Sequence, residues 1–354
     1  MKIRIVGKFF DNHSLAIVNR NLAMGFHKIG HEVSIIAFDR PDQKYKVNQD
    51  TVNFLAEKIE SELLNVDVEI RHTYPPMWKK SNCDRIFYIQ PWEYNRAPLE
   101  WVLRFEHTAG LIVPSAWTRR VYVESGIPEN KVHIVPNGYN PTIYHNIART
   151  SKELKFLYVG SSQKRKGLDI VLSAYIETFK QLPNVSLTIR DNTTIYGGDI
   201  LSDILKINYH QGTKIHYLNE EYSEEDMANL YRSCDYLVHP FRGEGFGMHI
   251  LEAAICGCIP IVTSGGPPDE FINGIFINSQ IRIADLVNEM QAIKPGDSLS
   301  LMGMHGTVLE PDKNHLAHIF KSIYNKTPYN KPTPIIKEAF TWDEIAREYI
   351  KIIA

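Results

Sequence analysis

The stretch from residue 235 to residue 263 constrains the fold more than any other part of the sequence. Residues 236–238 form an apolar run that predicts a buried strand, and residues 259–263 predict a second one. Between them, a loop with three glycines precedes residues 248–256, whose apolar side chains recur at helical spacing. Strand, loop, helix and strand in this order are typical of a parallel α/β unit. The loop therefore lies at the carboxyl end of a strand, where such sheets bind their ligands.

Two carboxylates frame this loop, Glu244 within it and Glu252 in the first turns of the predicted helix. The backbone N–H groups of Gly245, Phe246 and Gly247 can approach a phosphate, whose charge a helix N-terminus favours. Carboxylates do not bind phosphate, but they accept hydrogen bonds from sugar hydroxyls. The combination favours a nucleotide sugar as the ligand. The alternative is that Glu252 complements the helix dipole and that Glu244 is a solvated loop charge.

Three consecutive cations, Lys164, Arg165 and Lys166, stand at a predicted strand-to-helix turn. The turn lies at the carboxyl end of a strand and faces the same side as the Glu244 loop. A diphosphate leaving group needs fixed cations there, because negative charge builds on it as the bond to the sugar breaks. The alternative is a solvated basic patch, which is the usual meaning of such a run.

Length and composition indicate the broad class of protein. The chain has 354 residues, enough for two domains, and a net charge of −2 that gives no electrostatic case for binding nucleic acid. Its four cysteines do not form the framework of a secreted protein, and we expect neither a signal peptide nor an apolar run of the roughly 20 residues that span a membrane. We therefore expect a cytoplasmic protein with no integral membrane segment, while peripheral membrane contact stays open.

Predicted strands and helices alternate twice along the chain. Residues 1–145 predict one Rossmann-like domain, in which Ser14 caps the first helix and residues 51–64 form the second. Residues 146–339 predict another such domain, and the helix at 340–354 completes the first. Residues 281–310 give no clear prediction. Two doubly wound α/β domains in series imply a cleft between them, and no G-x-G-x-x-G dinucleotide fingerprint is present.

The loop sequence at 243–247, followed by Glu252-Ala253, resembles the E-x7-E signature of glycosyltransferase family 4, retaining enzymes of the GT-B fold. Residues 159–167 are similar to the diphosphate-binding loop of that family. Lys166 takes the position of its lysine, and Arg165 serves as its arginine. Many members place that arginine directly after the glycine, where this chain has Ser161. The Trp-Glu dipeptide at 92–93 resembles one subgroup, and similar strings extend over almost the whole chain.

The resemblance implies transfer of a sugar from a nucleotide-diphosphate sugar to a hydroxyl acceptor, which is a glycan, a lipid-linked acceptor or a protein. Lys166 and Arg165 hold the diphosphate, Glu252 the ribose hydroxyls and Glu244 the donor sugar. The leaving phosphate itself helps to deprotonate the acceptor. The sequence contains no D-x-D metal motif, so we expect no metal and no cofactor besides the donor substrate.

The remaining predicted roles concern the edges of the cleft. Glu93 is expected to accept hydrogen bonds from acceptor hydroxyls, and Ser161, Asn192 and Leu218 to lie on the nucleotide side. We interpret His239 as a core histidine and assign no role to His249, whereas His13 is near the cleft and is a candidate for acceptor contact. The indoles of Trp78 and Trp92 are either sugar platforms or a satellite of the core.

Three rival functions stay open at this point. A nucleotide-sugar epimerase of the same fold would release nucleotide with no acceptor present. A pyridoxal phosphate-dependent phosphorylase would need a cofactor lysine, which no motif marks. A non-catalytic nucleotide-sugar sensor is disfavoured, because Lys166, Glu244 and Glu252 are all intact. The nucleotide base, the donor sugar and the acceptor are not identified.

Overall fold

The computed structural model describes residues 1–60, 62–148, 153–191, 200–284, 306–326 and 340–354. These residues form two lobes, each built on a parallel six-stranded sheet with helices packed against it. The two sheets confirm the predicted α/β class with two Rossmann-like, doubly wound units.

The sheet of the first lobe has the strand order β2-β1-β3-β4-β5-β6. Its central strands are almost entirely buried, and apolar residues of α1 and of β1 to β4 form one core cluster. The strands are β1 (Lys2–Gly7), β2 (Glu32–Ala37), β3 (Val68–His72), β4 (Ile86–Ile89), β5 (Gly110–Val113) and β6 (Val132–Ile134). The helices are α1 (Ser14–Lys28), α2 (Gln49–Lys58), α3 (Leu99–Phe105) and α4 (Ala116–Glu124).

The second lobe repeats this plan with the strand order β12-β11-β10-β7-β8-β9. Its strands are β7 (Leu154–Val159), β8 (Val185–Arg190), β9 (Ile215–Leu218), β10 (Tyr236–His239), β11 (Ile259–Thr263) and β12 (Ile275–Ile277). Its helices are α5 (Leu168–Phe179), α6 (Leu201–Gln211), α7 (Glu224–Arg232), α8 (Met248–Ile255) and α9 (Lys313–Tyr324). The predicted strand–loop–helix–strand unit is therefore β10, the glycine loop, α8 and β11.

The last helix, α10 (Trp342–Ile353), packs on the first lobe. Its buried residues belong to the same core cluster as β1 and α1. The close approach needs a small residue opposite, because a Cβ on Gly25 would lie 2.8 Å from the Cβ of Ala346. The chain thus crosses back from the second lobe to complete the first. No helix among the described residues combines the length and apolarity that crossing a membrane requires.

Two local predictions for the first lobe are wrong in detail. The cap of α1 is His13 rather than Ser14, because the Nδ1 atom of His13 accepts a hydrogen bond from the N–H of Leu15 at 3.2 Å. The helix predicted over residues 51–64 is α2, which ends at Lys58. After it, Ile59 forms a parallel bridge with Ile35, so pairing with the sheet overrides helical periodicity.

Part of the unassigned region 281–310 forms a β-hairpin. Strand β13 (Ser279–Ile283) pairs antiparallel with β14 (Thr307–Pro311). Arg282 and Arg242 both contact the carboxylate of Glu310, which anchors the hairpin to the loop that follows β10. The hairpin therefore lies beside the predicted site.

Candidate active site

The Glu244 carboxylate and the Lys166 ammonium form the centre of the site. Lys166 Nζ donates to Glu244 Oε2 at 2.7 Å, although the two residues lie 78 positions apart in sequence. The strand-to-helix turn brings the lysine there through Gly167, which has a left-handed backbone (φ +77°). A Cβ on Gly167 would lie 2.0 Å from the carbonyl oxygen of Pro240, so this position requires glycine. The structure thus brings together the two predicted constellations.

The charges of the Lys166–Glu244 pair are mostly shielded from water. Burial alone would raise the pKa of Glu244, but Lys166, His239 and Arg165 hold it well below its ordinary value of 4.5. Burial lowers the pKa of Lys166, and the Glu244 carboxylate opposes that effect. Glu244 is 8 % exposed, which excludes the solvated-loop interpretation. Lys164, in contrast, is exposed, so the basic run is not a uniform surface patch.

Two histidines lie behind Glu244. The Nε2 atom of His239 is 3.4 Å from Glu244 Oε2, and since a carboxylate only accepts, this nitrogen carries the proton. Burial lowers the pKa of His239 to about 4, so the ring is neutral. Its ring centroid is 4.3 Å from that of His249. His239 is buried as predicted, but its ring also contacts Glu244. The sequence analysis did not place either His239 or His249 at the site.

His239, Glu244 and His249 form a group that could hold a metal ion. Their candidate ligand atoms lie within 4.8 Å of one another. The cation that contacts this carboxylate in the structure is the ammonium of Lys166. Two imidazoles and a carboxylate are ligand types that suit a transition metal.

Arg165 links the two lobes. Its Nη1 atom donates to the carbonyl oxygen of Gly243 at 2.8 Å, and its Nη2 atom lies 3.4 Å from Glu93 Oε1. Glu93 follows β4 of the first lobe, whereas Arg165 and Gly243 belong to the second. Both predicted residues therefore lie where the carboxyl ends of the two sheets face each other.

The glycine loop is also the surface on which the first lobe packs. A Cβ on Gly243 would lie 2.3 Å from the carbonyl oxygen of Glu93, and one on Gly245 would lie 3.0 Å from the Cβ of Pro91. The hydroxyls of Ser115 and Thr118 donate to the carbonyl oxygen of Gly245 at 3.3 and 3.1 Å. The sequence predicted that the glycines of this loop expose backbone N–H groups. Because they have no side chain, they also allow the first lobe to pack closely against the loop.

The end of the loop is rigidly built. Gly247 has φ +95° and precedes the first residue of α8. The side chain of Phe246 stacks on Phe271 with ring centroids 4.5 Å apart. These contacts fix the backbone of Phe246 and Gly247 beside the start of the helix, where a phosphate is favoured. The N–H of Gly245, which was also predicted to approach a phosphate, instead donates to Glu244 Oε1 at 3.2 Å.

Glu252 is buried on α8. It is the fifth residue of the helix, and the first turn of α8 contains no acid, which excludes the interpretation as a dipole-complementing residue. The hydroxyl of Tyr231 donates to Glu252 Oε2 at 3.1 Å. Burial, with a smaller effect of the charge on Glu224, raises the pKa of Glu252 to about 8. The side chain is therefore mainly protonated at neutral pH.

The remaining predicted donor-side residues occupy the carboxyl ends of β7 and β9. Ser161 is buried, and its hydroxyl has no hydrogen-bond partner within the described part of the chain. The carbonyl oxygen of Leu218 accepts from the N–H of Asp191 at 2.9 Å. The guanidinium of Arg190 lies over the ring of Tyr222, 5.1 Å from its centroid. Asn192 lies outside the described residues.

The aromatic loops of the first lobe belong to its core. Trp92 is completely buried, and its Nε1–H donates to the carbonyl oxygen of Arg96. Trp78 packs against Tyr88 and Phe105 with ring centroids 5.1 Å apart in both pairs. The sugar-platform interpretation of Trp92 is therefore wrong, because a fully buried indole offers no face to a sugar. Sequence reasoning could not distinguish a buried aromatic from an exposed one.

A cavity of about 280 Å³ lies between the lobes beside the Glu93–Arg165 contact. Helix α4 provides one wall, and the hairpin with the loop after β11 provides the other. Its polar lining includes Glu93, Asn95 and Arg120, and Trp117 contributes an aromatic surface. The mixture of carboxylate, amide, guanidinium and indole suits a hydroxyl-rich ligand.

The lobes are also joined at the opposite end of the cleft. Asn12 Nδ2 donates to the carbonyl oxygen of Tyr222 at 3.0 Å, and Arg20 Nη2 lies 3.5 Å from Glu224 Oε2. His13, on the same loop as Asn12, has its pKa lowered to about 4 by burial, with Lys166 among the charges that act on it. His13 therefore lies near the cleft, as predicted.

Comparison with known proteins points to a glycosyltransferase. Residues 142–293 match the family model described as Glycosyl transferases group 1, and residues 68–143 match Glycosyltransferase Family 4. A protein from Sulfolobus islandicus filamentous virus, named as a glycosyltransferase, is 22% identical over 370 residues, covering 100% of this chain and 94% of that one. An uncharacterized glycosyltransferase of Methanocaldococcus jannaschii is 26% identical over 332 residues, covering 77% and 82%.

Among solved structures, Anabaena HepE in complex with UDP-glucose superposes with a TM-score of 0.59. The two chains are 14% identical, and the match covers 100% of this chain and 97% of the other. At this identity the likeness shows the fold, which is GT-B. Together with the family matches, it supports a glycosyltransferase of the GT-B fold.

Proposed function

We propose that this protein is a retaining glycosyltransferase that moves a sugar from a nucleotide-diphosphate sugar to a hydroxyl of an acceptor. The observation that carries the proposal is the partly buried Lys166–Glu244 pair, which stands where the carboxyl ends of both sheets face each other. An ion pair that is mostly shielded from water can act on charge that develops in a reaction, because water screens its interactions less than at the surface.

The proposed roles follow the chemistry of each group. The ammonium of Lys166 and the guanidinium of Arg165 stabilise the diphosphate, with the Ser161 hydroxyl as a further donor. Glu244 accepts hydrogen bonds from the donor sugar, and Glu252 accepts them from the ribose. The backbone N–H groups of Phe246 and Gly247 face the phosphates. Glu93, on the first lobe, accepts hydrogen bonds from hydroxyls of the acceptor.

The reaction exchanges one bond at the anomeric carbon. The bond from that carbon to the diphosphate oxygen breaks as the acceptor oxygen forms a new one on the same face of the sugar. The hydroxyl proton passes to the leaving phosphate, so no protein nucleophile is needed. The positive charges of Lys166 and Arg165 act most strongly when the bond is nearly broken, because the phosphate is then most negative.

A panel of nucleotide sugars tests the proposal by thermal stabilisation. UDP-glucose, which HepE binds in its crystal structure, is the natural first member. A ligand at 100 times its dissociation constant adds about 2.7 kcal/mol to the free energy of unfolding, which raises the melting temperature. We expect at least one nucleotide sugar, and its nucleoside diphosphate, to stabilise the protein. Failure of every nucleotide sugar to do so would contradict the proposal.

The raised pKa of Glu252 predicts proton release on donor binding. Ribose hydroxyls that donate to this side chain favour its ionised form, whereas the side chain alone is protonated below about pH 8. Binding at pH 7 should therefore release a proton, and affinity should rise by up to about tenfold per pH unit below the pKa. Calorimetry in two buffers of different ionisation enthalpy measures the released proton.

Glu252→Gln provides the control, because glutamine stays neutral at all pH values. The variant should bind nucleotide more weakly, and the proton release should disappear. Since the pKa of Glu252 is higher in the folded state, its effect on stability is fully present below about pH 4.5 and is lost as the pH rises through about 8. The variant should therefore lose less stability than wild type between pH 5 and pH 9. Equal proton release in both proteins would exclude Glu252 from the ribose site.

A further inference from the structure

The first lobe contains a buried histidine that the proposed roles above do not use. His72 is the last residue of β3, at the same edge of the sheet as the loops that follow β1 and β4. It is 3 % exposed, and its Nδ1 atom lies 2.9 Å from Asn19 Oδ1. The carbonyl oxygen of His72 also lies against the end of β1, 2.4 Å from the position of a Cβ on Gly7.

The contacts of Asn19 fix the tautomer of His72. The Nδ2 atom of Asn19 donates to the carbonyl oxygen of Lys8 at 2.9 Å and to that of His72 at 3.4 Å. A flipped amide would point its own oxygen at two carbonyl oxygens, which is unfavourable. The Oδ1 atom of Asn19 is therefore the acceptor, and Nδ1 of His72 is the donor. The proton is on Nδ1, so Nε2 carries a lone pair.

That lone pair lacks a donor. Nε2 of His72 is buried and has no hydrogen-bond partner among the described residues. Burial lowers the pKa of His72 to about 3, so the ring stays neutral and Nε2 stays an acceptor at working pH. A buried acceptor without a partner costs free energy, and such an atom in a folded protein usually serves a ligand or a water molecule.

A small cavity lies beside this ring. Its volume is about 30 Å³, the size of one hydroxyl group or one water molecule. It is lined by His72, by Ser14 after β1, by Pro91 after β4 and by Pro114 after β5. All four stand at the carboxyl edge of the first sheet, which faces the Lys166–Glu244 pair.

We infer that His72 binds the acceptor substrate by accepting a hydrogen bond from one of its hydroxyls in this cavity. The inference rests on the proposed transferase function and extends it, because it assigns an acceptor-binding residue. An aprotic anion such as phosphate or carboxylate does not fit, since Nε2 requires a donor. A sugar, polyol or other hydroxyl-bearing acceptor does. The ring is too weak a base to remove the proton, so its role is to orient the hydroxyl.

Two substitutions separate this role from a structural one. In His72→Asn, the amide nitrogen can still donate to Asn19, but no acceptor remains at the Nε2 position. In His72→Gln, the longer side chain can place its oxygen near that position. Transfer rates are measured with the nucleotide sugar that stabilises the protein most and with octyl β-glucoside as the acceptor. If wild type does not glycosylate it, water is the acceptor, and release of free sugar is measured.

Loss of one neutral hydrogen bond to the acceptor should weaken acceptor binding by about tenfold. We expect His72→Asn to raise the KM for octyl β-glucoside, or to lower the rate with water, by this factor. His72→Gln should restore most of the lost acceptor affinity or hydrolysis rate. Both variants should bind the nucleoside diphosphate as tightly as wild type does. If His72→Asn transfers sugar like wild type, or if both variants lose nucleotide affinity and melting temperature together, the inference is wrong. A wild-type protein that neither binds nor turns over any nucleotide sugar would instead refute the proposed function.

Discussion

Lys166→Ala should lower the turnover number by on the order of a hundredfold or more, with a much smaller change in donor affinity. The ammonium at 2.7 Å from Glu244 is partly buried, and we propose that it stabilises the charge that grows on the leaving diphosphate. An interaction of this kind is stronger in the transition state than in the ground state, so its loss appears mainly in kcat. Steady-state kinetics with varied donor separates kcat from KM.

Lys164→Ala is the matched control. Lys164 belongs to the same basic run but is exposed, and exposed charges contribute little. We expect its kinetics to equal those of wild type. Equal and mild effects of the two substitutions would show that the run is only a solvated patch. The melting temperature of each variant must be measured as well, because Lys166→Ala leaves the Glu244 carboxylate buried without its cation.

Gly243→Ala should lower kcat by about a hundredfold, because small displacements of the catalytic parts cost that much. A Cβ at residue 243 would lie 2.3 Å from the carbonyl oxygen of Glu93, and backbone cannot yield as the end of a flexible side chain can. The first lobe must therefore move away from the loop. The nucleotide site lies on the second lobe, so nucleotide affinity should stay within about threefold of wild type.

Gly306→Ala tests whether the effect is specific to this contact. Gly306 also faces the first lobe, but its Cβ would meet Asn95 Oδ1 at 3.6 Å, an ordinary van der Waals distance. This variant should keep wild-type kcat. Normal turnover in Gly243→Ala would show that contact between the lobes at this loop is dispensable. A parallel loss of nucleotide affinity would show that the glycine serves the phosphate site instead.

The sequence predicted the two-sheet architecture because its strands and helices have strong, local periodicity. The unit at 235–263 is a clear case, since two apolar runs, a glycine loop and a helical repeat follow one another without interruption. The hairpin of β13 and β14 escaped prediction for the opposite reason. Residues 284–306 separate its strands in sequence, and pairing over such a distance leaves no local pattern.

The positions of candidate site residues were predictable where the local sequence places them in a turn at the end of a strand. Glu244 and Lys166 stand in glycine-bearing turns at strand ends, and the structure brings their side chains into contact. Histidines were harder, because burial and tautomer depend on neighbours from other elements. His239 lies on an apolar strand whose sequence predicts only a core position, although its ring contacts Glu244. The tautomer of His72 depends on its contact with Asn19, which lies on α1. Trp92 failed as a sugar platform because residue type does not report which side chains are covered.

The most direct measurement is proton NMR of a reaction that contains the stabilising nucleotide sugar, an acceptor mixture of alkyl glycosides and EDTA. We expect release of nucleoside diphosphate and a new glycoside whose anomeric configuration is the same as that of the donor. EDTA should not change the rate, because Lys166 and Arg165 supply the positive charge at the diphosphate. Transfer with inverted configuration, or a rate that EDTA abolishes and a divalent metal restores, would contradict this account of the site.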